Sequence, residues 1–257
     1  MEIMNVKRTG EFNINITFKD DLKIEVEHPK YFESLILLII KLLDTNFKYE
    51  TAENAFELDS CVNFMFIIYK STIYTENIHN KKELYVNYQE SEAYGEVESL
   101  GFFDKSLRSA SEAAYPDFYT YYTGAYSNLG VMYKIFQRFV KKMNLDFVST
   151  KNETILEFIF IRNKLLIHPE DNMILGDNFE QGLLGMNNMD WNYLSENRQD
   201  SRCMYYYFYK GKQNSIDLAG NYLKYVEEIL FQFLEILLNN GHNKINDTNF
   251  DMEKYFF

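Results

Sequence analysis

Residues 117–143 read DFYTYYTGAYSNLGVMYKIFQRFVKKM. Within them Tyr119, Tyr122, Tyr126, Leu129, Tyr133, Phe136, Phe139 and Val140 recur at steps of three and four. That is the period of one helix face, so the spacing predicts a long amphipathic helix over 117–143. Pro116 sits just before it, at a place where a missing N–H costs little. A helix with so wide an apolar stripe must be covered by other elements, and the flanking sequence is read for what can cover it.

On the C-terminal side a short acidic turn (144–150) leads to Asn152, a residue type that caps helices. Ile155, Leu156, Ile159 and Phe160 continue a helix to about Ile167, where Pro169 stops it. Residues 170–200 hold three Gly, many Asp and Asn and no periodicity, and are read as a loop. Cys203–Tyr209 reads as an aromatic strand, with Lys210-Gly211 as a turn. Ser215–Asn240 is predicted as a last long helix, ended by Gly241.

On the N-terminal side, Phe12, Ile14, Ile16 and Phe18 alternate with polar residues, as do Leu22, Ile24 and Val26, around a Lys19-Asp20-Asp21 turn. Period-two alternation predicts a β-hairpin over 11–27 with one buried face. Pro29 suits the first turn of a helix over Tyr31–Leu43, which is apolar nearly all round. A second helix is predicted from Thr51 to about Tyr74. Residues 76–104 are polar and acidic, with a weak amphipathic stretch near 84–94. The expected class is mainly α: an antiparallel helical bundle with an N-terminal β-hairpin and a small strand-bearing insert. The expected division is 1–115 (hairpin and helices), 116–241 (bundle, with the insert at 170–214) and 242–257 (polar tail).

The 257 residues carry 38 acidic and 26 basic side chains, a net charge of -12. A surface broadly coated for nucleic acid is excluded by that balance, but a local basic cleft is not. At 46% hydrophobic and 17% aromatic, a sizeable core is available. The longest apolar run, Leu35–Ile40, is interrupted by Lys41, far short of the roughly 18–20 residues that cross a bilayer. With no apolar leader visible, Cys61 and Cys203 are read as reduced, buried thiols and the expected compartment is the cytoplasm.

The four histidines, His28, His79, His168 and His242, have no zinc-ligand spacing. Phosphate-loop, dinucleotide and nucleophile-elbow patterns are absent from the sequence, and no metal or cofactor is expected. Glu227-Glu228 and Asp20-Asp21 read as solvated surface pairs. What stands out is Ile161-Arg162-Asn163-Lys164-Leu165-Leu166-Ile167-His168-Pro169. Arg162 and His168 would lie about 120° apart on an ideal helix. They converge on one ligand only if the last turn departs from α geometry, as Pro169 encourages.

Arg162, Asn163 and His168, with five residues between Arg and His at a helix end, resemble the signature of the HEPN superfamily (higher eukaryotes and prokaryotes nucleotide-binding). The resemblance covers about half the chain. It implies an all-helical bundle for Asp117–Asn240, with the hairpin and the 203–209 strand as embellishments of the family core. It also implies a metal-independent endoribonuclease acting as a homodimer, a toxin or antiviral defence effector. Carried over, His168 is general acid or base, Arg162 holds the scissile phosphate, and Asn163 orients them. RNA is the implied partner, with an antitoxin or other partner protein beside it; no membrane or DNA partner is expected.

From Val131 to His168 seven cations face three anions, a local +4. Arg138, Lys151 and Lys164 within it are the candidate RNA-binding residues. Tyr205–Tyr209 offers either base-stacking surface or an ordinary half-buried strand. The alternative function is a non-catalytic HEPN-like helical interaction module. In that case Arg162 would form a buried intramolecular ion pair. A nucleotidyltransferase partner component is a third reading.

Overall fold

The computed structural model describes residues 1–47, 51–80, 110–146, 152–167, 204–209 and 212–245. The predicted 170–200 loop, the 84–94 stretch and residues 246–257 lie outside them. The described chain is mainly helical, with a three-stranded antiparallel sheet at its start. In order it forms β1 (Ile3–Gly10), β2 (Asn13–Phe18), β3 (Lys23–Val26), α1 (Tyr31–Asn46), α2 (Ala52–Asn80), α3 (Ala110–Lys142) and α4 (Glu153–Phe160). A π-helical segment (Ile161–Ile167), β4 (Met204–Tyr209), β5 (Lys212–Asp217) and α5 (Leu218–Asn239) follow.

The alternating residues make the hairpin as expected. Ile14 faces Val26 and Ile16 faces Ile24 across the β2–β3 ladder, all four buried. Strand β1 is an addition. It pairs with β2 but buries only Ile3 of its eight residues, so it carries no alternation to read. Backbone bonds tie it to the segment after α5: Ile3 N–H donates to Asn243 O (2.8 Å) and Ile245 N–H to Met1 O (2.8 Å).

Several element boundaries differ from the sequence reading, among them the end of α2, which runs on to Asn80. Pro29 lies in the turn before α1, ahead of the N-cap Lys30. Helix α3 starts at Ala110, so Pro116 falls inside it, an interior position that forfeits one helical hydrogen bond. Ser215–Asp217 belong to β5, paired with Met204–Tyr206, so α5 starts at Leu218. The polar run Lys212-Gln213-Asn214 has no apolar alternation and takes its strand form from pairing with β4.

Contacts divide the chain into two compact units that interleave in sequence. The first comprises Met1–Thr72, Asn128–Ile155 and Tyr225–Phe257; the second comprises Ile73–Ser127 and Leu156–Lys224. In the first, α1 buries residues on most of its surface, among them Leu35, Leu38, Ile39, Leu42 and Leu43. Burial of each such side chain contributes about 1.5–3 kcal/mol. Phe136 of α3 stacks on Phe233 of α5 (4.0 Å, 9°), and Phe139 meets the same ring edge-on. In the second unit, Tyr126 contacts Phe158 and Tyr222, and its hydroxyl donates to Leu218 O at 3.0 Å.

The first unit also buries acids. Tyr31 Oη donates to Glu227 Oε1 (2.7 Å), while Arg8 Nη1 and Asn152 Nδ2 donate to Glu228 (2.7 and 2.6 Å). The Arg8 guanidinium lies 4.1 Å over the Phe231 ring. Desolvation, with Glu228 and Glu11 nearby, raises the Glu227 pKa against the opposing effects of Tyr31 and Arg8. Burial beside Glu227 likewise pushes the Tyr31 phenol up. Glu227 was expected on a solvated surface. It is 8% exposed because it continues the stripe Leu223, Leu230 and Leu234 at helical steps.

A raised carboxyl pKa means that the folded state holds the proton more tightly than the unfolded chain. The stability Glu227 contributes is therefore full below its unfolded pKa, about 4.3, and is lost as pH rises through the folded value. Urea unfolding of Glu227→Gln from pH 4.5 to 7 should show this downward slope removed. Glu228→Ala, which strands Arg8 and Asn152, should cost about 1–3 kcal/mol at pH 7 in the same assay.

Candidate functional site

The motif begins from a helix cap. Asn152 Oδ1 accepts the Ile155 N–H at 3.1 Å, and its Nδ2 is used for Glu228. One side chain thus caps α4 and attaches that cap to Glu228 of α5, Asn152 and Glu228 both belonging to the first unit. Glu153 follows in the first turn, where a negative charge favours the helix dipole. Ile155 and Phe158 face inward.

At Ile161 the helix widens to π geometry and keeps it through Ile167. In a π turn the residue five positions on, not four, completes the hydrogen-bonded turn. Ile161 and Leu166, five apart, are both buried, at 0% and 3% exposure. On an α-helix these two positions would diverge by about 140°. The segment therefore departs from α geometry before Pro169 is reached, while His168 itself lies outside the described residues. π segments of this kind occur frequently at functional sites.

Arg162 and Asn163 sit at the start of this segment, both partly exposed. Arg162 Nη1 donates to Asn163 Oδ1 at 2.6 Å. Arg162 Nε is buried without an acceptor, and among the described residues the guanidinium meets no carboxylate. The structure therefore brings two of the three candidate catalytic residues together. His168 and Lys151 lie outside the described residues, and Lys164 is described only as part of the π-helical backbone.

Arg138 has a different setting, in the first unit. Its Nε donates to Glu57 Oε2 at 2.6 Å, and its guanidinium lies 5.6 Å from the Phe56 ring centre. Lys142 pairs with Glu53. The local +4 is thus offset by two acids of α2, far away in sequence. Lys134 and Lys141 on α3 remain exposed.

Other nucleophiles and bases are quiet. Cys61 is a buried free thiol, and desolvation beside Glu57 pushes its pKa well up, so it is held protonated. His242, 4.4 Å from the Phe47 ring, has its pKa lowered by burial. Among the described residues no group of three or more His, Cys, Asp and Glu is placed to hold a metal. No described helix is long and apolar enough to cross a membrane. No protein-family model, curated protein or solved structure matches this chain.

The dual role of Asn152 makes a graded prediction. Asn152→Ala should cost about 1 kcal/mol as a lost cap and speed amide exchange at the start of α4, read by hydrogen–deuterium exchange. Asn152→Asp keeps the capping oxygen but sets a carboxylate against Glu228. Its defect should be larger at pH 7 than at pH 4, where protonation relieves the repulsion.

Proposed function

We propose that this protein is a metal-independent endoribonuclease of the HEPN type, cytoplasmic and dimeric, serving as a toxin or antiviral effector. The observation that carries this reading is the state of Arg162. Among the described residues its guanidinium is held by a neutral amide rather than a carboxylate. It keeps its positive charge for a ligand, whereas the non-catalytic alternative requires a buried ion pair at this position. A planar guanidinium fixed in orientation suits a phosphodiester, which it binds through two parallel hydrogen bonds.

In this reading Arg162 holds the scissile phosphate and offsets the charge that builds on its oxygens. Asn163 sets the plane of the guanidinium. His168 takes the proton from the ribose 2′-hydroxyl or returns one to the leaving 5′-oxygen, a task suited to a group whose ordinary pKa is about 6.5. The 2′-oxygen attacks phosphorus, the P–O5′ bond breaks, and the products are a 2′,3′-cyclic phosphate and a 5′-hydroxyl. Two copies bring their motifs to one RNA. A partner protein or antitoxin restrains them, and Lys151 and Lys164 add contacts to the RNA backbone, while Arg138, a candidate on sequence, is engaged by Glu57.

Purified protein incubated with total RNA should cleave it equally with and without EDTA, leaving cyclic-phosphate ends. Arg162→Ala and His168→Ala should each lower the rate by at least about 100-fold with unchanged thermal unfolding. RNA left intact under all these conditions, or cut equally by both variants, would replace this reading with the helical interaction module.

A further inference from the structure

Helix α2 carries apolar side chains on two opposite faces. Leu58, Cys61, Met65 and Ile68 are buried on one. On the other, Phe56, Phe66 and Ile67 are 61%, 50% and 41% exposed. Four of the eight large apolar side chains exposed among the described residues lie on this helix, the fourth being Tyr74. Scattered apolar residues on a surface need no explanation, but these are aligned. Phe56, Asp59, Asn63, Phe66, Ile67 and Lys70 follow one another at steps of about three and four, as in a helix–helix seam.

The charges within the stripe specify what can cover it. Asp59 and Lys70 are exposed, and among the described residues neither forms an ion pair. They flank the apolar centre on the N- and C-terminal sides. Two such helices laid antiparallel, with a two-fold axis between Phe64 and Met65, set each Asp59 opposite the other copy's Lys70. In the same register Phe66 and Ile67 of each helix cover Val62 and Asn63 of the other. Laid parallel and in register, like charge meets like charge at both positions. A surface that is complementary to itself only under a two-fold rotation is what an isologous dimer requires.

We infer that the exposed face of α2 is a self-association surface, which pairs antiparallel with α2 of a second copy of this chain. This pairing would supply the homodimer that the ribonuclease reading calls for, but it uses neither Arg162 nor His168, so loss of cleavage in those variants leaves it standing. One helix face buries on the order of 1,000 Å², at the low end for specific interfaces, so the association is weak and reversible, with a dissociation constant in the micromolar range.

Sedimentation velocity on the full chain from about 1 to 200 µM tests the inference. Wild type should show a monomer–dimer equilibrium that weakens in 1 M NaCl. Asp59→Lys and Lys70→Asp should each weaken it by about tenfold or more, as like charges then meet twice per dimer. The double swap should restore wild-type affinity to within about threefold. Phe66→Asp should be monomeric throughout, with a wild-type circular dichroism spectrum. The substituted side chains are all exposed, so the fold should tolerate them. A monomer at every concentration, as when another part of the chain covers the face, would overturn the inference. So would a double swap as weak as either single variant, or a dimer indifferent to Phe66→Asp, which is held elsewhere.

Discussion

Glu227 and Glu228 stand side by side on α5, a helix whose other residues nearby are largely apolar and buried. A carboxylate taken out of water without a partner costs several kcal/mol, so packing α5 obliges other segments to supply donors. Tyr31 from α1 serves Glu227, while Arg8 from β1 and Asn152 from the start of α4 serve Glu228. Three stretches of chain remote in sequence are thereby held to one turn of helix. On the family resemblance the N-terminal hairpin counts as an embellishment. In the structure β1, which extends that hairpin, carries the cation that the α5 acids need. Its single buried residue shows that β1 contributes more through Arg8 and backbone pairing than through apolar burial.

The helices were legible because their packing follows a period. Tyr122, Tyr126, Leu129, Phe136 and Phe139 recur along α3, and all are buried. The hairpin was legible for the same reason at a period of two. Elements set by pairing rather than by burial were not. Strands β1 and β5 have polar sequences, and their strand form comes from β2 and β4, which a reading of single segments does not see. Glu227 was misjudged because its residue type was weighed before its position. The steps from Leu223 to Glu227, Leu230 and Leu234 place it on the apolar stripe, and that signal was available in the sequence.

For the site, the sequence located the motif and the need for its last turn to depart from α geometry. It did not show that the departure is a π segment. Its five-residue turns bring Ile161 and Leu166, both buried, toward one side. The local charge count failed for a related reason. Counting along the chain treats Arg138 and Lys142 as available, although Glu57 and Glu53 of α2 neutralise them in three dimensions. Charge within a segment predicts a field only when opposing charge from other segments is also known.

Arg138, exposed, and Arg162, half-buried, show how two arginines meet different partners. Arg138 bonds an acid whose side chain is only 6% exposed, so its charge is spent on keeping Glu57 buried, and removing it would leave that carboxylate unpaired. Arg162 bonds a neutral amide. The amide orients the guanidinium without cancelling its charge, and the buried Nε meets no acceptor among the described residues. A phosphate that approached Arg138 would compete with a carboxylate already in place. At Arg162 no carboxylate stands in the way among the described residues.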